Sequence, residues 1–123
     1  MLKRSILVGV NQAIVALDIK KFLKKNNFFV SGVVNNGEDL VRHYKAKKPD
    51  LIIATFNLRG KISGIDAIKE INQIDSTPII IISGSIFEDV KEFAKLISPS
   101  AVLSKPFKYE ELLKLINKYF ITN

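Results

Sequence analysis

The sequence predicts an α/β fold: one doubly wound, five-stranded parallel sheet of strand order 2-1-3-4-5. Three observations predict it. Short β-branched runs alternate with amphipathic stretches of helix length along the whole chain, as they do when crossover helices join parallel strands. Ile79-Ile-Ile-Ile82 is apolar at every position, which a strand covered on both faces requires. The 123 residues, 47% of them hydrophobic, can fill one core without staples, and right-handed crossovers then favour the order 2-1-3-4-5 in a single domain, 1–123.

The first strand is Ser5 to Gly9. Its approach, Met1 to Val10, resembles a weak signal sequence, but the apolar run stops at Asn11-Gln12 and no small-residue cleavage site follows. The first helix, Gln12 to Asn26, mixes apolar Ala13, Ala16, Leu17, Phe22 and Leu23 with a basic ridge of Lys20, Lys21, Lys24 and Lys25. Phe28 to Val34 is the second strand and Glu38 to Lys48 the second helix. The third pair is Leu51 to Phe56 and Gly64 to Ile74. Ile79 to Ser83 precedes a helix from Ile86 to Ile97, opened by the capping box Ser85-Ile-Phe-Glu88. Ala101 to Ser104 and Tyr109 to Phe120 complete the set. Pro49, Pro78, Pro99 and Pro106 fall between elements, where a missing amide donor costs least.

Composition excludes several function classes. Without cysteine there are no disulfides, thiolate metal sites or cysteine nucleophiles, and a reducing cytoplasm suits such a chain. No apolar segment approaches the roughly 20 residues of a membrane span, so a soluble, cytoplasmic protein is expected. The formal charge is +7 and uneven: residues 1–48 hold ten Lys/Arg against three acids, while residues 49–123 balance. A basic surface on the N-terminal third fits an acidic protein partner, nucleic acid or anionic lipid, and equally a solvated helix surface in a lysine-rich proteome.

In this topology ligands meet the carboxyl ends of the strands where the strand order reverses. There the sequence resembles a response-regulator receiver domain from Ser5 to Ile121. The resemblance rests on Ser5-Ile-Leu-Val8 with Ala13-Ile-Val-Ala-Leu-Asp-Ile19, and on Pro49-Asp-Leu-Ile-Ile53 with Leu58-Arg-Gly60 and Gly64-Ile-Asp-Ala67. Pro78-Ile-Ile-Ile-Ile-Ser83 and Leu103-Ser-Lys-Pro-Phe107 complete it. It implies a flavodoxin-like receiver architecture, a two-component or phosphorelay setting, and no enzyme activity.

The resemblance also implies where function lies. In receivers an acidic pair after the first strand binds Mg²⁺, and an aspartate ending the third strand accepts phosphate. Here Val10 and Asn11 hold the acidic-pair positions, and Thr55 that of the aspartate. Mg²⁺ wants hard anionic oxygens and an acyl phosphate needs a carboxylate nucleophile, so both are expected to be lost, leaving no metal and no cofactor. Asn57 offers only a neutral carbonyl. Ser83 matches the hydroxyl that meets the phosphoryl group, Lys105 matches its lysine, and Val102 replaces the switch aromatic. Lys105, short of carboxylates, is expected to reach solvent or to borrow Thr55, Ser83 and carbonyls, in a pocket that attracts small anions and in a fold resting in one conformation.

Smaller signals read plainly. Thr55 lies too deep for a protein kinase, and His43 is a solvated residue on the polar side of the second helix. Lys105-Pro106 matches a bond that is cis in the family. Phe28, Phe29, Phe87, Phe93, Phe107 and Phe120 are spaced for packing rather than for base stacking. The leading expectation is a pseudo-receiver acting through a signalling protein such as a kinase, regulator or another receiver, with any output domain outside the sequence. The alternatives are a small basic nucleic-acid-binding protein, which has only charge in its favour, and a nucleotide- or flavin-binding protein, for which Gly9-Val-Asn-Gln-Ala13 has too few glycines.

Overall fold

The computed structural model describes residues 3–58, 60–84, 94–95, 97 and 100–121. The chain runs β1 (Ser5–Gly9), α1 (Ala13–Lys25), β2 (Phe29–Val34), α2 (Gly37–Lys47), β3 (Leu51–Thr55), α3 (Gly64–Ile74), β4 (Ile79–Ser83), β5 (Ser100–Ser104) and α4 (Tyr109–Ile121). All strand pairs are parallel, and their order is β2-β1-β3-β4-β5. The expected fold and order therefore hold, with element ends moved by one residue at several places. The expected helix from Ile86 to Ile97 and its capping box lie outside the described residues, apart from Ala94, Lys95 and Ile97. Among the described residues no helix is long and apolar enough to cross a membrane.

Side-chain alternation divides the core into two layers. On one face Leu7, Ile52, Ala54, Ile79 and Ile81 pack under α2 and α3, through Leu40, Val41, Tyr44, Ala67, Ile68 and Ile71. On the other, Ile6, Val8, Ile53, Ile80, Ile82 and Leu103 pack under α1 and α4, through Ala16, Ile19, Leu23, Leu112 and Ile116. β3 and β4 are buried along their whole length, which suits the apolar runs Leu51–Ala54 and Ile79–Ile82 that precede their polar last residues, Thr55 and Ser83.

Local chemistry starts the helices of the first layer. Asn36 caps α2 by accepting from the Asp39 amide at 2.8 Å, and its own amide donates to the Asp39 carboxylate at 2.9 Å. Ser63 caps α3 by accepting from the Asp66 amide at 3.0 Å. Each bond satisfies an otherwise orphaned first-turn donor. At their far ends the buried Tyr44 hydroxyl donates to Asp75 at 2.6 Å and lies 2.7 Å from the Thr77 hydroxyl. The Lys48 ammonium reaches the same carboxylate at 3.1 Å. Burial pushes the Tyr44 phenol above its usual range, and the Asp75 bond adds to this; the same bond is the main reason the Asp75 carboxyl lies below the usual range.

Two expectations fail at the β2 edge. The pairing of β1 with β2 skips one residue, Ile6 opposing Val30 and Leu7 opposing Gly32, so Ser31 is a bulge whose side chain is re-aimed. Its hydroxyl meets His43 Nε2 at 2.8 Å. His43 is therefore half-buried against the sheet rather than solvated, and its ring fills the space where a Cβ on residue 32 would stand, which only glycine leaves open. Phe29, expected to pack, is 57% exposed because its position on the edge strand points outward. Phe28 does pack, 5.8 Å from the Phe120 ring; Phe87 and Phe93 lie outside the described residues.

Candidate functional site

The carboxyl ends of β1, β3 and β5 surround a cavity of about 210 Å³ lined by Val10, Asn11, Gln12, Thr55, Asn57 and Lys105. Four of the residues singled out in the sequence, Val10, Asn11, Thr55 and Lys105, thus meet at one place. The topology does this: β1 lies between β2 and β3, so the chain leaves β1 and β3 in opposite directions and opens a crevice above them.

Each lining residue brings a different chemistry. Val10 is 3% exposed and belongs to the core layer under α1. The Asn11 side-chain amide donates to the Asn57 carbonyl, so that carbonyl is engaged from within the protein. Gln12 is the N-cap of α1 but makes no side-chain cap bond, and no acid stands in the first turn of the helix. Thr55 is 5% exposed, and among the described residues its Oγ1 has no hydrogen-bond partner. Lys105 is exposed, and its amide donates to the Ser83 carbonyl at 2.8 Å, tying β5 to the end of β4. The Lys105-Pro106 bond is cis. Among the described residues, no carboxylate lines the cavity.

The remaining candidates stand apart. Ser83, 5% exposed, sits beside the cavity at the end of β4 without lining it. Val102 packs into the other layer, beneath α2 and α3. Lys21, Lys24 and Lys25 are exposed on α1, but Lys20 is half-buried. Lys20 follows buried Ala16 by one turn and precedes buried Leu23 by three residues, so it leans toward the core, and the basic ridge is narrower than expected. Ile14 and Leu17, 78% and 49% exposed, stand on the same outer face as Lys21, Lys24 and Lys25. Leu17 is thus absent from the buried stripe to which the sequence assigned it.

Sequence reasoning missed the brace beneath the cavity. Glu38, at the start of α2, accepts from the Ile62 amide at 2.7 Å, and its carboxylate occupies the space beside Gly60. Gly60 has φ +108°, a backbone shape that glycine adopts without strain. The loop that carries Asn57 is thereby pinned to α2. Glu38 one residue after a helix start signalled only a favourable dipole interaction; its reach to a loop 24 residues away has no local signature.

A wider groove of about 580 Å³ adjoins the cavity between α1 and the β5–α4 turn. It is lined by Gln12, Val15, Asp18, Gly84, Lys105, Pro106, Phe107 and Tyr109, sharing Gln12 and Lys105 with the cavity. Phe107 and Tyr109 form its aromatic side, with ring centroids 5.5 Å apart, and Phe22 backs Tyr109 at 4.7 Å. Desolvation raises the Tyr109 phenol, and the Asp18 charge adds to it.

Comparison with known proteins agrees with this geometry. The chain is 32% identical over 114 residues to the chemotaxis protein CheY of Bacillus subtilis, covering 92% of this chain and 94% of that one. It is 27% identical over 113 residues to the transcriptional regulatory protein PdtaR of Mycobacterium tuberculosis. That match covers 92% of this chain but only 55% of PdtaR, so the chain spans about half the length of that relative. Its fold matches the receiver domain of a sensor histidine kinase from Pseudomonas aeruginosa, solved with magnesium in its active-site cleft. The TM-score is 0.86 at 22% identity, over 98% of this chain and 100% of that one. The family profile of the response regulator receiver domain matches residues 6–117, and with the strand order and the crevice above β1 and β3 this makes the chain a member of that family, the receivers of two-component signalling.

Proposed function

We propose that this chain is a pseudo-receiver: a receiver that takes no phosphoryl group on aspartate, binds no Mg²⁺, and signals by binding another protein. The observation that carries this is the cavity lining among the described residues, an apolar side chain, three amides, a hydroxyl and an ammonium, without a carboxylate. Mg²⁺ needs hard anionic oxygens, and the one neutral carbonyl that the sequence offered is bonded by Asn11. A hydroxyl at Thr55 cannot form an acyl phosphate. In this reading Thr55 replaces the acceptor, Val10 and Asn11 replace the acidic pair, Ser83 and Lys105 are retained from it, and Val102 replaces the switch aromatic.

The partner surface is the outer face of α1. There Ile14 and Leu17 lead into Lys21, Lys24 and Lys25, an apolar patch graded into a basic one. It fits a partner that presents aliphatic side chains beside carboxylates, such as a kinase, a regulator or another receiver. No exposed ring interrupts the face, which favours protein over nucleic acid.

Incubation with acetyl phosphate and Mg²⁺, followed by intact mass and amide spectra, is the test. The expected outcome is an unchanged mass and spectra that Mg²⁺ does not move. A labile phosphoryl adduct, or Mg²⁺-dependent shifts at Asn11 and Thr55, would overturn the proposal.

A further inference from the structure

A second cavity opens on the β2 side of β1, between α1, the end of β2 and the start of α2. It measures about 360 Å³, inside the roughly 300–1,000 Å³ of small-molecule sites. Ala13 and Ala16 of α1 give it one apolar flank, Val33 and Val34 of β2 the other, and Asn35 and Asp39 its polar end. The bulge at Ser31 builds the second flank, since it moves the register by one so that Val33 rather than Gly32 stands beside Val8. Val33 is 42% exposed, apolar surface that a ligand in the cavity would cover. The polar end is arranged by Asn36, which does not itself line the cavity. Its Oδ1 accepts from the Asp39 amide at 2.8 Å, and its Nδ2 donates to Asn35 Oδ1 and Asp39 Oδ2, each at 2.9 Å. With its oxygen so engaged, Asn35 offers Nδ2 as a donor. Asp39 is an acceptor whose charge is already offset, because Arg42 donates to Oδ1 at 2.6 Å. A donor and an acceptor thus stand side by side without net charge, held by a third side chain. Among the described residues no Lys or Arg lines the cavity, so the complementary ligand is neutral, largely apolar, and carries an acceptor next to a donor on one edge. A ring nitrogen beside an exocyclic amine has that pattern, the edge by which amide side chains recognise adenine.

We infer that this second cavity binds an adenine ring, as the free base or the nucleoside, with Asn35 Nδ2 donating to a ring nitrogen and the Asp39 carboxylate accepting from the exocyclic amine. The alanine and valine flanks supply apolar burial, and the two hydrogen bonds fix orientation. No covalent bond is made or broken. Binding here does not depend on the loss of phosphorylation, since none of Thr55, Ser83 and Lys105 lines this cavity.

The test is titration of the isotope-labelled chain with adenosine in buffer free of phosphate and Mg²⁺, read from amide spectra. Saturable shifts at Ala13, Val33, Asn35 and Asp39 are expected. Inosine sets a carbonyl oxygen against Asp39 where adenosine has an amine, and should bind roughly tenfold more weakly or worse, the scale of one hydrogen bond to a charged group. N35A, at an exposed position, weakens adenosine binding by roughly two- to tenfold. A13L, also at an exposed position and a good helix former, fills the space between the flanks and abolishes the shifts while circular dichroism stays the same. Parallel titrations with adenine and adenosine monophosphate separate the sources: adenine binding as tightly as adenosine marks the free base, and tighter binding of adenosine marks the nucleoside. Tighter binding of the monophosphate than of either would overturn the neutral ligand. Spectra that adenosine leaves unmoved, shifts that do not saturate, shifts that inosine reproduces, or shifts that A13L leaves unchanged sink the adenine site and leave the pseudo-receiver reading standing.

Discussion

At the scale of single residues, Thr55 and Asn11 show how a site can keep its geometry and change its chemistry. Asn11 bonds to the Asn57 carbonyl, while Thr55 Oγ1 has no partner among the described residues. Removing a buried unpaired hydroxyl without changing shape should stabilise, so T55V is expected to gain about 1 kcal/mol in urea denaturation measured without phosphate. A loss of stability would mean that the hydroxyl is satisfied after all. The sequence made part of this legible: the neutral side chains at 10, 11 and 55 are plain to read. The Asn11 bond was not, because nothing in a sequence tells which way an amide turns. His43 was misread for a similar reason, since helical periodicity placed it on a polar face and could not register the bulge at Ser31 that turns a hydroxyl toward it.

At the scale of elements, α1 and α2 divide the work. α2 is structural: its Glu38 holds the Ile62 amide at 2.7 Å and so fixes the loop behind the cavity. E38A is expected to cost about 1.5–3 kcal/mol, the worth of a hydrogen bond to a charged group, and to speed hydrogen exchange at the Ile62 amide, while leaving the helices intact by circular dichroism. α1 carries surface instead. Because Ile14 and Leu17 are already exposed, the double variant I14S/L17S should leave stability within about 0.5 kcal/mol per site and reduce binding to the partner. A large loss of stability would place these side chains in the core and remove the docking face. Helix existence was legible here from the amphipathic spacing, whereas the caps at Asn36 and Ser63, which are local chemistry, were not read in the sequence and the α2 ends moved by one residue. Which α1 residues face outward was less so, since Leu17 and Lys20 lie near the margin between the two faces.

For the molecule as a whole, pH has a definite sign. The chain has three tyrosines, and burial raises the pKa of Tyr44, Tyr109 and Tyr119 above 10.0. The folded state therefore holds phenolic protons that the unfolded chain has released. Their contribution is fully present below pH 10.0 and is lost as pH rises through the folded values. The urea midpoint should fall from about pH 9 to 11 in step with phenolate absorbance, and replacement of Tyr119 by Phe should flatten the slope. Asp75 works the other way: its lowered carboxyl pKa gives stability that is present above about 3.8 and lost on acidification. The topology itself was legible in part from the apolar run Ile79–Ile82 of β4, because a strand covered on both faces has few places to go. The two-layer core follows from the same fact.

The extra residue in β2 has one more consequence. β2 is an outer strand, and a straight outer strand offers its free peptide groups to any other extended chain, the first step toward fibres. Ser31 bends that margin and Gly32 beneath His43 leaves it without a flat run of side chains. The irregularity that hid His43 from sequence reasoning is thus also expected to disfavour cross-β pairing along this side of the molecule.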